Sequence, residues 1–396
     1  MIGLRFVFTP FDTLFFSDGR RFDQDNEGLA EAASEYPPSP HVLANAVRGR
    51  LAAVLRPGWD GSVTGWTQEI EKVLGSGAWD MGELRLSRIR VEEADGQSFL
   101  PAPMTLLQRE DGNERKARVS CSTDFRSDIA AAQWVAAGES DREFELAALG
   151  GFIAETDLQT ALLGGGRLGR MTVLAVEKMA PLERRVGLTR SPSGAAEPGM
   201  LYVAEMRRPT TTLRSHAGEA SSLSVQATLS SDSFPVERLA RWVASFGGRG
   251  RFADCRVSEG NPVPDIEVKP GIQFCYLATP ALVEEGCTLF AMGAFKGIDG
   301  VEILACAVDR PKRFAPWDPV RDGGRRGPWC WSLPAGAIWK LDVRDDNAAM
   351  ALAEALNETG LNELKAVQAI GNEPSSGAAY AMGFGEPIMW PQQGGA

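Results

Sequence analysis

The chain opens on a loosely alternating apolar and polar run, Ile2 to Phe8, which predicts a first β-strand. A polar loop follows, Ser17-Asp18-Gly19-Arg20-Arg21, then an acidic stretch and the proline cluster Tyr36-Pro37-Pro38-Ser39-Pro40. Ser39 is a good N-cap, and Pro40 suits a first helical position, where a missing N–H costs nothing. From there Leu43, Val47, Leu51 and Val54-Leu55 recur at helical spacing, and Pro57-Gly58 ends the predicted helix. His41, Asn45 and Arg48 fall at i, i+4 and i+7 on a different, polar face.

Residues 83–92 alternate as a half-exposed strand does. Residues 108–145 are polar and mixed in charge, which predicts an insertion or a long protruding element, with helix near 127–137. A helix-like segment covers 155–163, and strands at 171–178 and 200–206 flank a turn-rich arm that runs from Arg185 to Gly199. A strand at 222–229 opens a second domain. The spacing of Val236, Leu239, Ala240 and Val243 predicts a helix over 235–246, with Gly247 as its stop. Strands at 252–257, 272–279, 301–308 and 337–343 follow, then a helix at 347–358 and a glycine-rich close, Gly377 to Gly385.

This order has strands first and few helices, so it fits an α+β class better than a doubly wound sheet, which needs strict alternation. The expectation is two ferredoxin-like (RRM-like) domains with long insertions and glycine-rich loops. The first spans 1–212, with the insertion at about 103–150, and the second spans 213–396.

At 396 residues, the chain has room for two such cores, and 44% apolar with 23% charged residues is ordinary for packed domains. No apolar run reaches the ~20 residues of a membrane span, and the N-terminus lacks a basic region and a cleavage site. A cytoplasmic protein with no membrane partner is therefore expected. None of the six cysteines is spaced C-x-x-C, which favours reduced core thiols over a zinc ribbon. With two histidines a multi-His metal site is impossible, and neither metal nor cofactor is expected. The net charge of −11 argues against a free-standing, non-specific nucleic-acid binder, although a local basic groove is still allowed.

Four motifs bear on chemistry. Gly164-Gly165-Gly166-Arg167-Leu168-Gly169 fits a dinucleotide fingerprint in letters, but the helix precedes it and the strand follows, the inverse of what that site needs. Gly247-Gly248-Arg249-Gly250-Arg251 reads either as an anion-cradling backbone nest with two arginine donors or as a helix cap followed by a turn. The Asp18–Arg21 loop and the His41/Asn45/Arg48 face are either stations of one groove or solvated surface. Tyr380, Phe384 and Trp390, close to Gly383 and Gly385, either stack bases or pack a terminal hairpin. The RRM aromatic signature is not recognisable, so base stacking on an open sheet is not the expected mode.

Several stretches together resemble a known family. They are Thr9-Pro10-Phe11-Asp12-Thr13-Leu14-Phe15-Phe16-Ser17-Asp18-Gly19-Arg20, Pro37-Pro38-Ser39-Pro40, Ala46-Val47-Arg48-Gly49, and Arg185-Val186-Gly187-Leu188 with Gly199-Met200-Leu201-Tyr202 and Glu205. Phe246 to Arg251, Pro334-Ala335-Gly336-Ala337-Ile338 and Gly383-Phe384-Gly385 continue the match in order. The combination resembles subunit three of the type III-B CRISPR (Cmr) effector complex, in the RAMP superfamily. The resemblance implies two ferredoxin-like domains with a cleft between them and binding of the 5′ repeat-derived handle of a guide RNA, in antiviral defence. It also implies docking to the large polymerase/cyclase-like subunit and the first copy of the repeating RAMP backbone subunit, with target RNA met only indirectly, and no catalysis.

The expected RNA-binding residues are thus Asp18, Gly19, Arg20, Arg21, Ser39, His41, Asn45, Arg48, Arg185, Arg207, Gly247, Gly248, Arg249, Gly250, Arg251, Tyr380, Gly383 and Gly385. Rival readings are the equivalent 5′-end subunit of a Csm-like complex, a guide-RNA-processing endoribonuclease using His41, and a protein scaffold that touches no RNA.

Overall fold

The computed structural model describes residues 1–17, 30–58, 67–77, 79–109, 116–120, 135–136, 146–148, 150–163, 173–190, 193, 196–212, 219–230, 234–239, 241–284, 286–290, 294–314, 317–318, 325–326, 330–364 and 375–391. The elements that frame the site are β1 (Ile2–Pro10), α1 (Pro40–Leu55), β2 (Leu84–Glu92), β3 (Leu182–Arg190), β4 (Ala196–Arg207), β5 (Ser222–Leu229), β6 (Trp242–Ser245) and β7 (Phe252–Glu259). The architecture is mixed helix and strand with mainly antiparallel sheets.

The largest sheet has eight strands in the order Val173–Leu174, Phe152–Ala154, Ser98–Pro101, β2, β5, β1, β7, β6, and every neighbouring pair is antiparallel. β1 lies inside it because Leu4, Phe6 and Phe8 alternate onto the core face, each at most 1% exposed. α1 covers that face with Leu43, Ala44, Val47 and Leu51, all fully buried in the same cluster. Each buried leucine contributes about 1.5–3 kcal/mol of apolar transfer. β2 carries a bulge: Ser224 pairs with Arg90 and Gln226 with Ser87, which leaves two residues of β2 opposite one of β5, with Arg88 left-handed at φ 49°.

A second body is a four-stranded antiparallel sheet, Val301–Ala307, Ile338–Val343, Gly271–Leu277 and Pro387–Pro391. The helix Asp346–Thr359 is capped by the Asp345 side chain on Ala348 N and buries Leu352 and Leu356 in a cluster with Trp339 and Leu341. The two bodies meet on a dry seam of Leu100, Ile153 and Leu158 against Phe274, Tyr276 and Ile338. Polar ties cross it: Tyr276 Oη donates to Pro101 O at 2.5 Å, and Met104 N to Gly336 O at 2.9 Å.

Three expectations are corrected. The boundary at 212/213 would cut one sheet, because β5 and β7 flank β1 on its two sides; residues 222–259 therefore pack with the N-terminal body. Among the described residues of 235–246 there is no α-helix. A single 3-10 turn, Val236–Arg238, precedes β6, which pairs with β7. There the period is two, with Ala244 and Phe246 buried and Val243 and Ser245 exposed. In the insertion, Leu106–Arg109, Lys116–Ser120, Val135–Ala136 and Leu146–Ala148 form a small sheet of their own; the rest of the helix expected near 127–137 lies outside the described residues.

The arm is a hairpin, β3 with β4, joined in parallel by Ala30–Ala32. Among the described residues no helix is long and apolar enough to cross a membrane, and no group of three or more His, Cys, Asp or Glu is placed to hold a metal. The segment Gly164–Gly169 lies outside the described residues.

Candidate functional site

The segment after β1, Phe11 to Ser17, is a spine wired to three neighbours. Leu14 exchanges backbone hydrogen bonds with Arg207 at 2.7 and 3.0 Å, which ties it to the end of the arm. Phe15 O accepts from Gly248 N at 2.8 Å, which ties it to the glycine-rich turn. Phe16 N donates to the Ser34 side chain at 3.0 Å, and Phe16 O accepts from Glu35 N at 2.8 Å. The spine is short and irregular, so its backbone groups must find partners outside it, and the sequence supplies them from distant segments.

Asp12, on this spine, gathers three arginines. Its Oδ2 lies 3.0 Å from Arg185 Nη2 and 3.2 Å from Arg251 Nη1, and its Oδ1 lies 2.9 Å from Arg208 Nη1. Glu183 holds the first and third from the other side, at 2.7 Å to Arg185 Nε and 2.7 Å to Arg208 Nε. Two carboxylates thus face three guanidiniums, and the cluster is net positive. Burial alone would raise both carboxyl pKa values, but the Thr13 N–H and the arginines at Asp12, and Arg185 and Arg208 at Glu183, hold them below the usual range. Arg185 and Arg208 are 35% and 41% exposed, so the cluster is open to a ligand. A guanidinium fork that fits a carboxylate fits a phosphate equally well.

The glycine-rich segment is the turn of the β6–β7 hairpin, closed by Phe246 N to Arg251 O at 2.8 Å. Gly247, Arg249 and Gly250 are left-handed, at φ 85°, 59° and 65°. At Gly247 a Cβ would lie 2.7 Å from Phe15 O, so only glycine lets the turn sit on the spine. Arg249 projects outward with its guanidinium carbon 5.0 Å from the centre of the Phe15 ring.

Beside the spine, a cavity of about 640 Å³ opens between the two bodies. Phe16, Ser34, Tyr36 and Phe152 line one wall, and Thr279, Phe314 and Pro334 the other. Arg207, Lys312 and Arg313 line it together with Glu35 and Glu177, and Arg90 reaches it already paired with Glu386. Arg207 is fixed by Ser34 O and Ala180 O, each at 3.2 Å.

The structure brings together Arg185, Arg207 and the Gly247–Arg251 turn around the spine, and Ser39 lines the cavity. It does not bring the whole α1 face there. Asn45 is exposed, but His41 and Arg48 are only 5% and 6% exposed, so the polar face is largely an inward one. His41 Nδ1 lies 3.2 Å from Asn45 Nδ2, and its ring centre lies 5.8 Å from that of Trp79. Arg48 donates to Gly75 O at 3.2 Å, and burial, partly offset by Asp80, pushes its pKa down to about 10.

Gly383 and Gly385 are buried and left-handed, and a Cβ would meet Ile89 Cδ1 at 2.9 Å and Asn362 Nδ2 at 2.6 Å respectively. Tyr380 is half-buried on a helix above them, with its hydroxyl pKa pushed up to about 12 by burial. Gly383 thus packs on β2 of the first body, and Gly385 and Tyr380 pack against Asn362 and Gly360 of the second. Asp18, Gly19, Arg20 and Arg21 lie outside the described residues, directly after the spine. Sequence reasoning missed Asp12, Glu183, Arg208, Lys312 and Arg313. The doublets Arg184-Arg185 and Arg207-Arg208, which the hairpin carries on its two strands with Arg185 opposite Ala204 and Arg207 opposite Leu182, were the available signal.

The sequence family described as CRISPR-associated protein (Cas_Cmr3) matches residues 6–389. No curated protein sequence matches significantly. Among solved structures, the chain is similar to one in a cryo-EM structure of the Type III-B Cmr-beta bound to cognate target RNA and AMPPnP, at 14% identity, covering 85% of this chain and 86% of that one with a TM-score of 0.48. A second, of the Type III-B Cmr-beta bound to cognate target RNA, gives 12% identity, the same coverages and a TM-score of 0.47.

Proposed function

The chain belongs to the CRISPR-associated Cas_Cmr3 family, and from that premise we propose that it is the subunit of a type III-B effector complex that grips the 5′ repeat-derived handle of the guide RNA. The observation that carries this reading is the convergence of Arg185, Arg208 and Arg251 on Asp12, next to the glycine-rich turn and to the spine that leads into Arg20 and Arg21. A fixed single-stranded handle is held by charge-assisted donors to phosphate and by base-edge or stacking contacts. The site offers clustered guanidiniums on an otherwise acidic chain, and the remaining RNA is shared with other subunits.

In this reading the two bodies are elaborated ferredoxin-like domains, and the chain docks the large polymerase/cyclase-like subunit and the first repeating backbone subunit. It performs no catalysis. The endoribonuclease alternative needs His41 at the RNA, and this residue of α1 is only 5% exposed, packed beside Trp79.

The test is titration of labelled handle RNA into the reconstituted complex across a salt series. Arg185→Ala and Arg251→Ala are each expected to weaken binding, and each should reduce the log–log salt slope by about 0.7. Unchanged affinity, slope and crosslinking in the double variant would sink the assignment.

A further inference from the structure

Two phenylalanines stand open to solvent at one end of the eight-stranded sheet. Phe6, Phe8 and Pro10 face the core, so the alternation turns Phe11, 60% exposed, to the other side. On β7, Ala253 and Cys255 face the core, and Phe252 is 50% exposed. Phe11 N donates to Phe252 O at 3.3 Å, one step past the Pro10–Ala253 pair, so the two residues are cross-strand neighbours. Neither ring belongs to a hydrophobic cluster of the described residues.

The polar frame around them is cationic. Asp12 follows Phe11 and Arg251 precedes Phe252, and these two are ion-paired at 3.2 Å, with Arg185 and Arg208 on the same carboxylate. Further along the open face of β7, Arg241 and Arg256 share Asp254 and are 64% and 67% exposed. Exposed rings flanked by guanidiniums match the needs of unpaired nucleic acid. Every base has a π-face to stack, every nucleotide brings a phosphate, and a duplex offers no free base face here. A purely apolar protein partner would leave the arginines unexplained.

We propose that Phe11 and Phe252 form a stacking platform for unpaired bases of single-stranded RNA, whose phosphates take the arginines now held by Asp12. The sequence alone had argued against stacking on an open sheet. The inference rests on the RNA-binding reading and adds to it a contact mode and two residues.

The experiment uses the full chain, alone and in the reconstituted complex, with a labelled single-stranded RNA and its abasic counterpart. Phe11→Ala with Phe252→Ala should weaken binding to the intact RNA roughly ten- to a hundred-fold. The salt slope should not change, because stacking releases no counterions, and the abasic RNA should lose little. Phe11→Tyr should retain binding, which separates loss of the ring from loss of the fold. Phe11→Trp should be quenched when RNA is added.

If wild type binds RNA and the double alanine variant binds equally well, the platform is wrong while the RNA-binding reading stands. If the alanine variants bind RNA normally but fail to join the other subunits, the face is a protein-docking surface and the platform is again overturned. If wild type binds no RNA in either form, the underlying reading fails with it.

Discussion

Arg90 and Glu386, 296 residues apart in sequence, form a two-pronged ion pair across the junction of the two bodies, Nη2 to Oε1 at 2.9 Å and Nη1 to Oε2 at 3.1 Å. The bulge in β2 also turns Arg88 N toward Glu386 Oε2 at 3.1 Å, so one carboxylate serves three donors. Burial alone would lower the Arg90 pKa, but the charge and hydrogen bonds of Glu386 outweigh it and raise it. Removing one partner leaves the other charged and buried. Arg90→Ala is expected to destabilise the protein by about 3–5 kcal/mol. Arg90→Met with Glu386→Leu should cost clearly less than the sum of the single changes. Urea unfolding of wild type, Arg90→Ala, Arg90→Met, Glu386→Leu and the double variant checks both statements.

Gly383 and Gly385 were expected among the RNA contacts, and the structure gives them a different task. A side chain at Gly385 would meet Asn362, whose Oδ1 accepts from Leu282 N and whose Nδ2 donates to Phe384 O. Gly385→Ala should lower stability by about 1–3 kcal/mol through backbone strain and displacement of Asn362. It should leave the RNA affinity of the folded fraction unchanged. Thermal melts and RNA titrations on the same sample separate the two effects.

Asp12 restrains the arginines that the proposed function needs. Asp12→Asn should strengthen binding to non-cognate RNA at low salt and steepen the salt dependence, because three guanidiniums lose their internal counter-charge. It should also loosen the arm, which limited proteolysis reads. The folded pKa values of Asp12 and Glu183 lie below their unfolded ones. Their contribution to stability is therefore complete above the usual carboxylate range and is lost as pH falls through the lowered folded values. The difference in urea midpoint between wild type and Asp12→Asn should vanish at the acidic end. At neutral pH it should be small, because the cluster is partly exposed.

The thiols should be inert in the folded state. Burial pushes Cys287 up to about 11 and Cys330 up to about 12, and Cys255 and Cys275 further still. Iodoacetamide at mildly alkaline pH should leave these four unmodified in native protein and label them in urea, as peptide mass spectrometry would report. Fast native labelling of Cys255 or Cys275 would contradict the burial.

The elements that depend on local pattern were legible. β1, α1, β2 and the helix over 346–359 each show their period and their caps within the segment itself. What depends on pairing was not. The Trp242–Phe246 stretch satisfies a helical spacing and a strand alternation at once, and only its hydrogen bonds to Cys255 and its neighbours on β7 decide. The site divides in the same way. Arg251 stands out by its glycine-rich surroundings and Arg185 by the Arg185-Val186-Gly187-Leu188 stretch, whereas Asp12 matters only because distant segments meet there. His41 and Arg48 share a helix face, but polarity of a face does not reveal that Trp79 and Gly75 cover it.

The first strand finds its two neighbours only at residues 222–229 and 252–259. During synthesis, therefore, one flank of Ile2–Pro10 stays unsatisfied until residues 222–229 have emerged and the other until residues 252–259 have, and late closure of such distant pairings is slow. A truncated product ending near residue 212 would carry a long apolar ribbon with two raw edges, the form most prone to clump with its own copies. Any recombinant dissection of this subunit does better to cut after residue 259 than before it.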